Sequence, residues 1–158
     1  MSTMSPTMNS SFVVRFAGVV RPIVQGLNFL APVGDLVIRL WVAQAFWMAG
    51  LTKIQSFDTT ILLFENEYQV PLLSPVVAAY ASTFSELFFP VLLALGLGGR
   101  FAALALFVLN LVAVISYPDL NPAGLFQHQA WGLALLITLL HGPGKLSLDY
   151  LVSRFLRA

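Results

Sequence analysis

Residues 72–98 decide the fold, and they read LLSPVVAAYASTFSELFFPVLLALGLG. The stretch carries a single charged side chain, that of Glu86. At about 1.5 Å per residue, a helix of this length crosses a hydrocarbon core of about 30 Å. Ser74 is suited to the N-cap and Pro75 to the first helical position. The pattern therefore predicts a membrane-spanning helix.

Three further segments, at about 35–53, 100–117 and 126–142, are apolar enough to cross a membrane as well. The whole chain is 58% hydrophobic and 9% charged, against about 45–50% and about 25% in soluble domains. Such a chain has too little polar surface to cover a globule in water, so lipid must supply part of its boundary. We predict an all-α integral membrane four-helix bundle.

The flanking segments suggest four regions along the chain. Residues 1–11 are rich in Ser, Thr and Met and are predicted to be disordered. Residues 12–33 place apolar side chains at helical spacing and are predicted to form an amphipathic interfacial helix. Residues 34–144 form the predicted four-span domain, and residues 145–158 a second amphipathic segment. The bundle would then carry amphipathic surface helices at both ends.

Loop charges predict the orientation of the spans. Basic residues lie before the first span, after the second and in the tail, at Arg15, Arg21, Arg100, Lys145, Arg154 and Arg157. Basic loops stay on the cytoplasmic side, so both termini are predicted to be cytoplasmic. The formal net charge of +1 lacks the basic footprint that nucleic-acid binding requires. The absence of cysteine excludes disulfides and thiolate metal sites.

Glu86 is the first candidate for chemistry. A carboxylate near the middle of a span is costly, so it should face the bundle interior and be paired or protonated. Pro90 lies four residues later and removes the helical hydrogen bond to the carbonyl of Glu86, which predicts a bend there. The alternative is a protonated glutamate that serves only packing.

Depth along the spans suggests neighbours for Glu86. Counted from the predicted cytoplasmic ends, Gln44 and Asn110 lie at a depth similar to that of Glu86. A pocket of Glu86, Arg39, Gln44 and Asn110 is the resulting hypothesis. The two amides could equally be plain hydrogen-bond partners between helices. Arg39 could instead pair with Asp35 at the interface.

A second polar cluster is expected at the outer mouth of the bundle. Its members lie near the outer ends of the spans and are Lys53, Glu65, Tyr68, Tyr117 and His128. His128 is either an ordinary boundary residue or a proton relay or metal ligand. The two histidines stand at opposite ends of one span, so no metal site is predicted.

The order of several short motifs resembles that of the DoxX family of small four-span bacterial membrane proteins. The motifs are RLWVAQAFWMAGLTK at 39–53, VP at 70–71, Glu86, and GLGGR at 96–100. The resemblance covers about residues 34–145. It carries over Arg39, Lys53 and Glu86, and adds Gly50 and Arg100 as residues of the family pattern. It also implies the bacterial inner membrane as the location.

Three other motifs are similar to a DoxX subgroup that is often encoded near enzymes making copper-binding peptides. They are ENEYQVPLL at 65–73, VISYP at 114–118 and HGPGKLSLD at 141–149. The family's name comes from a subunit of a thiosulfate:quinone oxidoreductase, and the chain has no ligand set for a cofactor of its own. The resemblance therefore implies a non-catalytic subunit of a membrane oxidoreductase complex, with quinone as the candidate cofactor and other proteins as partners.

Three functions remain open on these grounds. The first is a subunit that supports a quinone-linked or metal-stress redox system, with a pocket around Glu86. The second is a carrier or binding protein for a small molecule, lipid or metal complex. The third is a membrane scaffold that recruits soluble enzymes. The oligomeric state and the substrate are left open.

Overall fold

The computed structural model describes residues 10–157, apart from the side chains of residues 10–15 and 17. Six helices make up its regular structure. They are α1 (Ser10–Gln55), α2 (Phe57–Asn66), α3 (Pro75–Leu95), α4 (Gly99–Ser116), α5 (Pro122–His141) and α6 (Leu148–Phe155). The all-α prediction is confirmed. Of the predicted disordered terminus, residues 1–9 lie outside the described residues.

Four helical segments are long and apolar enough to cross a membrane, as predicted. They are Gly18–Gln55, Pro75–Leu95, Gly99–Ser116 and Pro122–His141. The second is shorter than the predicted 72–98, because Ser74 is extended and Gly96 ends the helix with a φ of 65°. Glycine takes this left-handed conformation without the steric cost that a side chain brings. Ser74 is at the N-cap as predicted, although its side chain makes no capping hydrogen bond.

Helix α1 differs from the expectation of an interfacial helix followed by a separate span. It runs for 46 residues without a break and contains Pro22 and Pro32. The chain nevertheless divides into two compact units, with the boundary between Pro32 and Val33. An interfacial position for residues 12–33 stays a prediction. The second unit, Val33–Ala158, contains the remainder of α1 and all the other helices.

Helix α2 was not predicted, because residues 54–71 were interpreted as a loop. Phe64 of this helix is buried against Ala78 and Ala79 of α3. The Thr60 hydroxyl donates a 2.9 Å hydrogen bond to the carbonyl of Lys53. The chain thus turns at the end of α1 and packs α2 on α3, next to Lys53.

The bundle is held by neighbouring helix pairs. Helix α3 packs on α4, and α4 packs on α5. Small buried residues at these contacts, such as Ala102, Ala103 and Ala134, allow the close approach that stabilises helices in lipid. Large apolar side chains on the opposite faces, such as Phe101 and Leu133, are more than 60% exposed. Those faces are where the bilayer contacts the protein.

Candidate ligand-binding cavity

Residues of α1 to α5 and of the segments between them line a cavity of about 560 Å³. This volume lies inside the range of about 300–1,000 Å³ that is usual for ligand pockets. Its walls are mostly apolar and include several aromatic rings, among them Phe46, Phe64 and Trp131. The polar lining residues are Lys53, Tyr68, Ser82, Ser85, Glu86, Ser116, Tyr117, Gln127 and His128.

An ion pair between α1 and α3 lies in this cavity. The Lys53 ammonium donates to both carboxylate oxygens of Glu86, at 2.6 and 2.5 Å. The Ser82 hydroxyl, one turn before Glu86, donates to Oε1 at 3.3 Å. The Lys53 side chain is 18% exposed and that of Glu86 is 10% exposed. The prediction that Glu86 faces the bundle and is paired is therefore confirmed.

Gly50 explains why the two helices can approach at this level. A Cβ atom at Gly50 would lie 2.8 Å from Leu87 Cδ2 and 3.1 Å from the carbonyl carbon of Glu86. A side chain at this position would force Leu87 to shift, so glycine favours the close approach of α1 to α3 here. Lys53 follows Gly50 by three residues and thus lies on the same helix face.

Neither Gln44 nor Asn110 is hydrogen-bonded to Glu86, and for Asn110 the structure shows the alternative, a hydrogen-bond partner between helices. Gln44 is exposed and lines a separate hollow of about 330 Å³ with Trp41 and Gln127. Asn110 is buried, but its amide bonds to His128. Depth along a span does not fix the direction in which a side chain points: Gln44 lies on an exposed face of α1, and Asn110 faces α5.

Arg39 does not reach Glu86 either. Its guanidinium is 1% exposed and donates to the carbonyls of Leu93, Ala94 and Leu146 at 3.0, 2.9 and 2.6 Å. Two of these acceptors belong to the last turn of α3, where helical carbonyls lack partners. The alternative pair with Asp35 is not formed, since the Asp35 carboxyl lies against Gly144. Arg39 therefore ties α3 to the chain before α6.

Glu86 and most of the predicted outer cluster share one cavity. Lys53, Tyr68, Tyr117 and His128 all line the cavity with Glu86, and the rings of Tyr68 and Tyr117 lie 5.2 Å apart. Burial raises the pKa of the Tyr68 phenol, and Tyr117, Glu86 and Glu67 raise it further. Tyr68 is thus a neutral hydroxyl donor at physiological pH. Glu65 is exposed on α2 and is absent from the lining.

His128 lies near the start of α5 and is held by Asn110 and Trp131. Its Nδ1 is 2.8 Å from Asn110 Oδ1, and its ring meets that of Trp131 edge to face at 5.2 Å. The described residues contain no group of three His, Asp or Glu side chains placed to hold a metal ion.

Sequence reasoning missed several cavity residues, including Phe64, Ser82 and Ser116. Ser82 stands four residues before Glu86, a spacing that predicts contact on a helix. Phe64 belongs to ILLF at 61–64, whose apolar run was a signal for α2. Ser116 is buried, and its hydroxyl has no hydrogen-bond partner within residues 10–157. No sequence signal singles it out.

The remaining family-pattern residue lies away from the cavity. Arg100 is exposed at the start of α4, and its guanidinium lies beside Gly142, where a Cβ would be 3.3 Å from Nε. Asp149 accepts hydrogen bonds from the amides of Gly98 and Gly99, both at 2.8 Å. The glycine–arginine motif thus forms a tight α3–α4 turn on which the C-terminal segment is anchored.

These features define a multi-pass helical membrane protein with a partly polar cavity among its spans. The family model described as DoxX matches residues 34–118, and the chain belongs to the DoxX family. An uncharacterized protein of Haemophilus influenzae is 30% identical over 126 residues, which is 75% of this chain and 83% of that protein. No solved structure matches.

Proposed function

We propose that the protein is a membrane subunit that binds a quinone in the cavity and supports a quinone-linked redox system. The observation that carries the proposal is the cavity itself, with apolar aromatic walls and the Lys53–Glu86 pair among its polar lining. A membrane quinone has a matching character, because its flat apolar ring carries two hydrogen-bonding oxygens. A quinone contributes two-electron, two-proton chemistry when bound.

The lining residues suit such a ring. The Lys53 ammonium has three N–H donors, two of which are used by Glu86. The neutral hydroxyl of Tyr68 and that of Tyr117 are further donors near the cavity wall. Phe46 and Trp131, whose rings lie 5.9 Å apart, offer faces for an aromatic ligand. These residues would bind and orient the ring, and partner proteins would supply the other redox groups.

The cavity favours binding over a purely scaffolding role. A scaffold needs no internal space of about 560 Å³, and cavities destabilise a bundle that does not use them. A carrier for a lipophilic small molecule would use the same cavity and is the second candidate. The metal-stress setting rests on the motif resemblance alone.

Binding can be measured through Trp131, which lies in the cavity wall. A background variant with Trp41→Phe and Trp47→Phe leaves Trp131 as the one tryptophan, since the chain has three. Titration of this protein in nanodiscs with decylubiquinone should quench its fluorescence in a saturable manner. Quinones extracted from the purified protein and identified by mass spectrometry should include a stoichiometric species.

A variant that fills the cavity is compared with a matched control on the same helix. Ala113 lines the cavity on α4, whereas Leu111 of the same helix is 49% exposed. Ala113→Phe should weaken quinone binding at least tenfold, and Leu111→Phe should leave it unchanged. Equal quenching in both variants would mean that the quinone only partitions into lipid, and the proposal would then fail.

The orientation is part of the proposal, because it decides which side of the membrane the cavity approaches. Both termini and the α3–α4 turn are proposed to be cytoplasmic in a bacterial inner membrane, following the positive-inside rule. Reporter fusions after Asn66, Gly99, Asn121 and Ala158 should read outside, inside, outside and inside. A cytoplasmic signal at Asn66 would overturn this orientation.

A further inference from the structure

The Asn110 amide has only one allowed orientation. Its Nδ2 lies 2.9 Å from the carbonyl oxygen of His128, and its Oδ1 lies 2.8 Å from the Nδ1 of the same residue. A carbonyl oxygen can only accept a hydrogen bond. Turning the amide over would place two oxygens against each other, so the nitrogen must face the carbonyl.

This orientation settles the tautomer of His128. Because Asn110 Oδ1 is an acceptor, the Nδ1 of His128 must carry the proton that it shares. The neutral imidazole then presents a lone pair at Nε2. Among the groups that the structure describes, none is hydrogen-bonded to Nε2.

The surrounding packing preserves the arrangement. Asn110 is 3% exposed and stands behind His128, outside the cavity lining. The Asn110 amide reaches the backbone of α5 by passing over Gly132. A Cβ atom at Gly132 would lie only 3.2 Å from Asn110 Nδ2. The edge-to-face contact with Trp131 restrains the other side of the ring.

We propose that Asn110 positions His128 as a hydrogen-bond acceptor, so that the cavity selects ligands carrying a phenol-type hydroxyl group. Another acceptor in the cavity lining, the Glu86 carboxylate, already accepts hydrogen bonds from Lys53 and Ser82. Lys53 is a donor only. For a quinone couple, this selection favours the reduced form, whose oxygens carry hydrogens. The inference rests on the proposed cavity-binding function and adds the class of ligand.

The tautomer can be tested without any ligand. The chain has two histidines, so His141→Gln leaves His128 as the one histidine for nitrogen-15 NMR. The spectrum should show a protonated Nδ1 and an unprotonated Nε2 in the wild-type background and in Gln44→Leu, which removes an amide that is not hydrogen-bonded to His128. Asn110→Leu should lose this pattern. A proton on Nε2 in the wild-type background would overturn the inference.

Ligand selection is tested with 4-heptylphenol and its methyl ether, which differ only in the hydroxyl hydrogen and a methyl group. The wild type should bind the phenol about fivefold more tightly, as expected for one net hydrogen bond. In Asn110→Leu and in His128→Phe the ratio should fall to about one, while binding of the ether persists. Should Asn110→Leu not fold, Gly132→Ala replaces it and should lower the ratio by displacing the amide.

The outcomes separate this inference from the proposed function. An unchanged ratio in the Asn110 and His128 variants would overturn the inference and leave quinone binding intact. A ratio that depends on Asn110, in a protein that binds neither ubiquinone nor ubiquinol, would support the inference and overturn only the quinone proposal. Failure of both phenol and ether to bind would overturn the inference and remove the cavity as a ligand site.

Discussion

Helix α1 carries two cationic side chains that point into the bundle, Arg39 and Lys53, and their surroundings differ. Arg39 is bound by three backbone carbonyls and does not line the cavity of about 560 Å³. Lys53 pairs with the carboxylate of Glu86 on the wall of that cavity. The planar guanidinium suits several fixed acceptors, whereas an ammonium is a compact charge with rotatable donors.

The difference separates a cation that holds the backbone together from one that lines the proposed binding site. The carbonyls around Arg39 do not titrate. They belong to α3 and to the chain before α6, which Arg39 links. The carboxylate beside Lys53 can gain a proton, and the pair has a neighbouring space in which a ligand can lie. Two family-pattern cations on one helix thus differ: Arg39 links two segments of the backbone, and Lys53 lines the cavity for which we propose binding.

The largest expected effect is on stability, from removal of Arg39. Arg39→Leu leaves three carbonyls without their donor, and each unsatisfied buried group costs about 1–3 kcal/mol. We expect the free energy of unfolding to fall by at least about 3 kcal/mol, as measured by equilibrium unfolding in detergent. Arg100→Leu, which removes an exposed arginine from the same end, should change it by less than about 0.5 kcal/mol. Equal effects would contradict the assigned role of Arg39.

The Lys53–Glu86 pair should affect both binding and stability. Glu86→Leu leaves the ammonium unpaired and should cost about 3 kcal/mol, since breaking a buried pair leaves an uncompensated charge. Glu86→Gln keeps the shape and a hydrogen-bond acceptor, so it should retain the fold but weaken binding of decylubiquinone. Thermal melting and the Trp131 titration measure the two effects. Glu65→Gln, the same change at an exposed site, should alter neither the melting temperature nor quinone binding. If Glu86→Gln binds decylubiquinone like the wild type, the carboxylate is purely structural.

A methyl group at Gly50 should have a smaller effect. Gly50→Ala forces Leu87 to move, because the new Cβ would lie 2.8 Å from its Cδ2. Overpacking of this kind costs about 1–3 kcal/mol, and it should separate Lys53 from Glu86 and weaken quinone binding. Gly26→Ala, at a helical glycine with nothing within 4 Å, is the control and should be neutral or slightly stabilising. Melting temperatures in nanodiscs measure the difference, and equal values for the two variants would argue against the close approach.

The smallest effect concerns pH and Tyr68. The pKa of this phenol is raised by burial and then by Tyr117, Glu86 and Glu67, so folding favours its protonated form. Its contribution is complete below the ordinary tyrosine pKa of about 10 and is lost as the pH rises through the folded-state pKa. Tyr68→Phe should therefore show less loss of melting temperature above pH 10 than the wild type. Tyr150→Phe, at an exposed tyrosine of α6, should behave like the wild type, and identical curves for all three would refute the assignment.

The sequence predicted the spans well and the site only in part. Four apolar segments are visible in the composition because lipid demands long runs of apolar residues. Glu86 was recognised as buried and paired, since a charge in such a run needs a partner. Its partner was misassigned, and α2 was missed because a helix of ten residues between spans leaves a weak periodic signal.

What the sequence determined by itself was the number of apolar spans, the approximate limits of the last three and the family. These properties depend on local composition and on the order of short motifs along the chain. The tertiary structure alone decided that Lys53 rather than Gln44 meets Glu86, and that Asn110 turns to His128. Which side chains meet depends on helix rotation and on close approaches such as that at Gly50. Helix rotation and close approach both depend on contacts between side chains that are distant in the sequence, so no local sequence pattern predicts them.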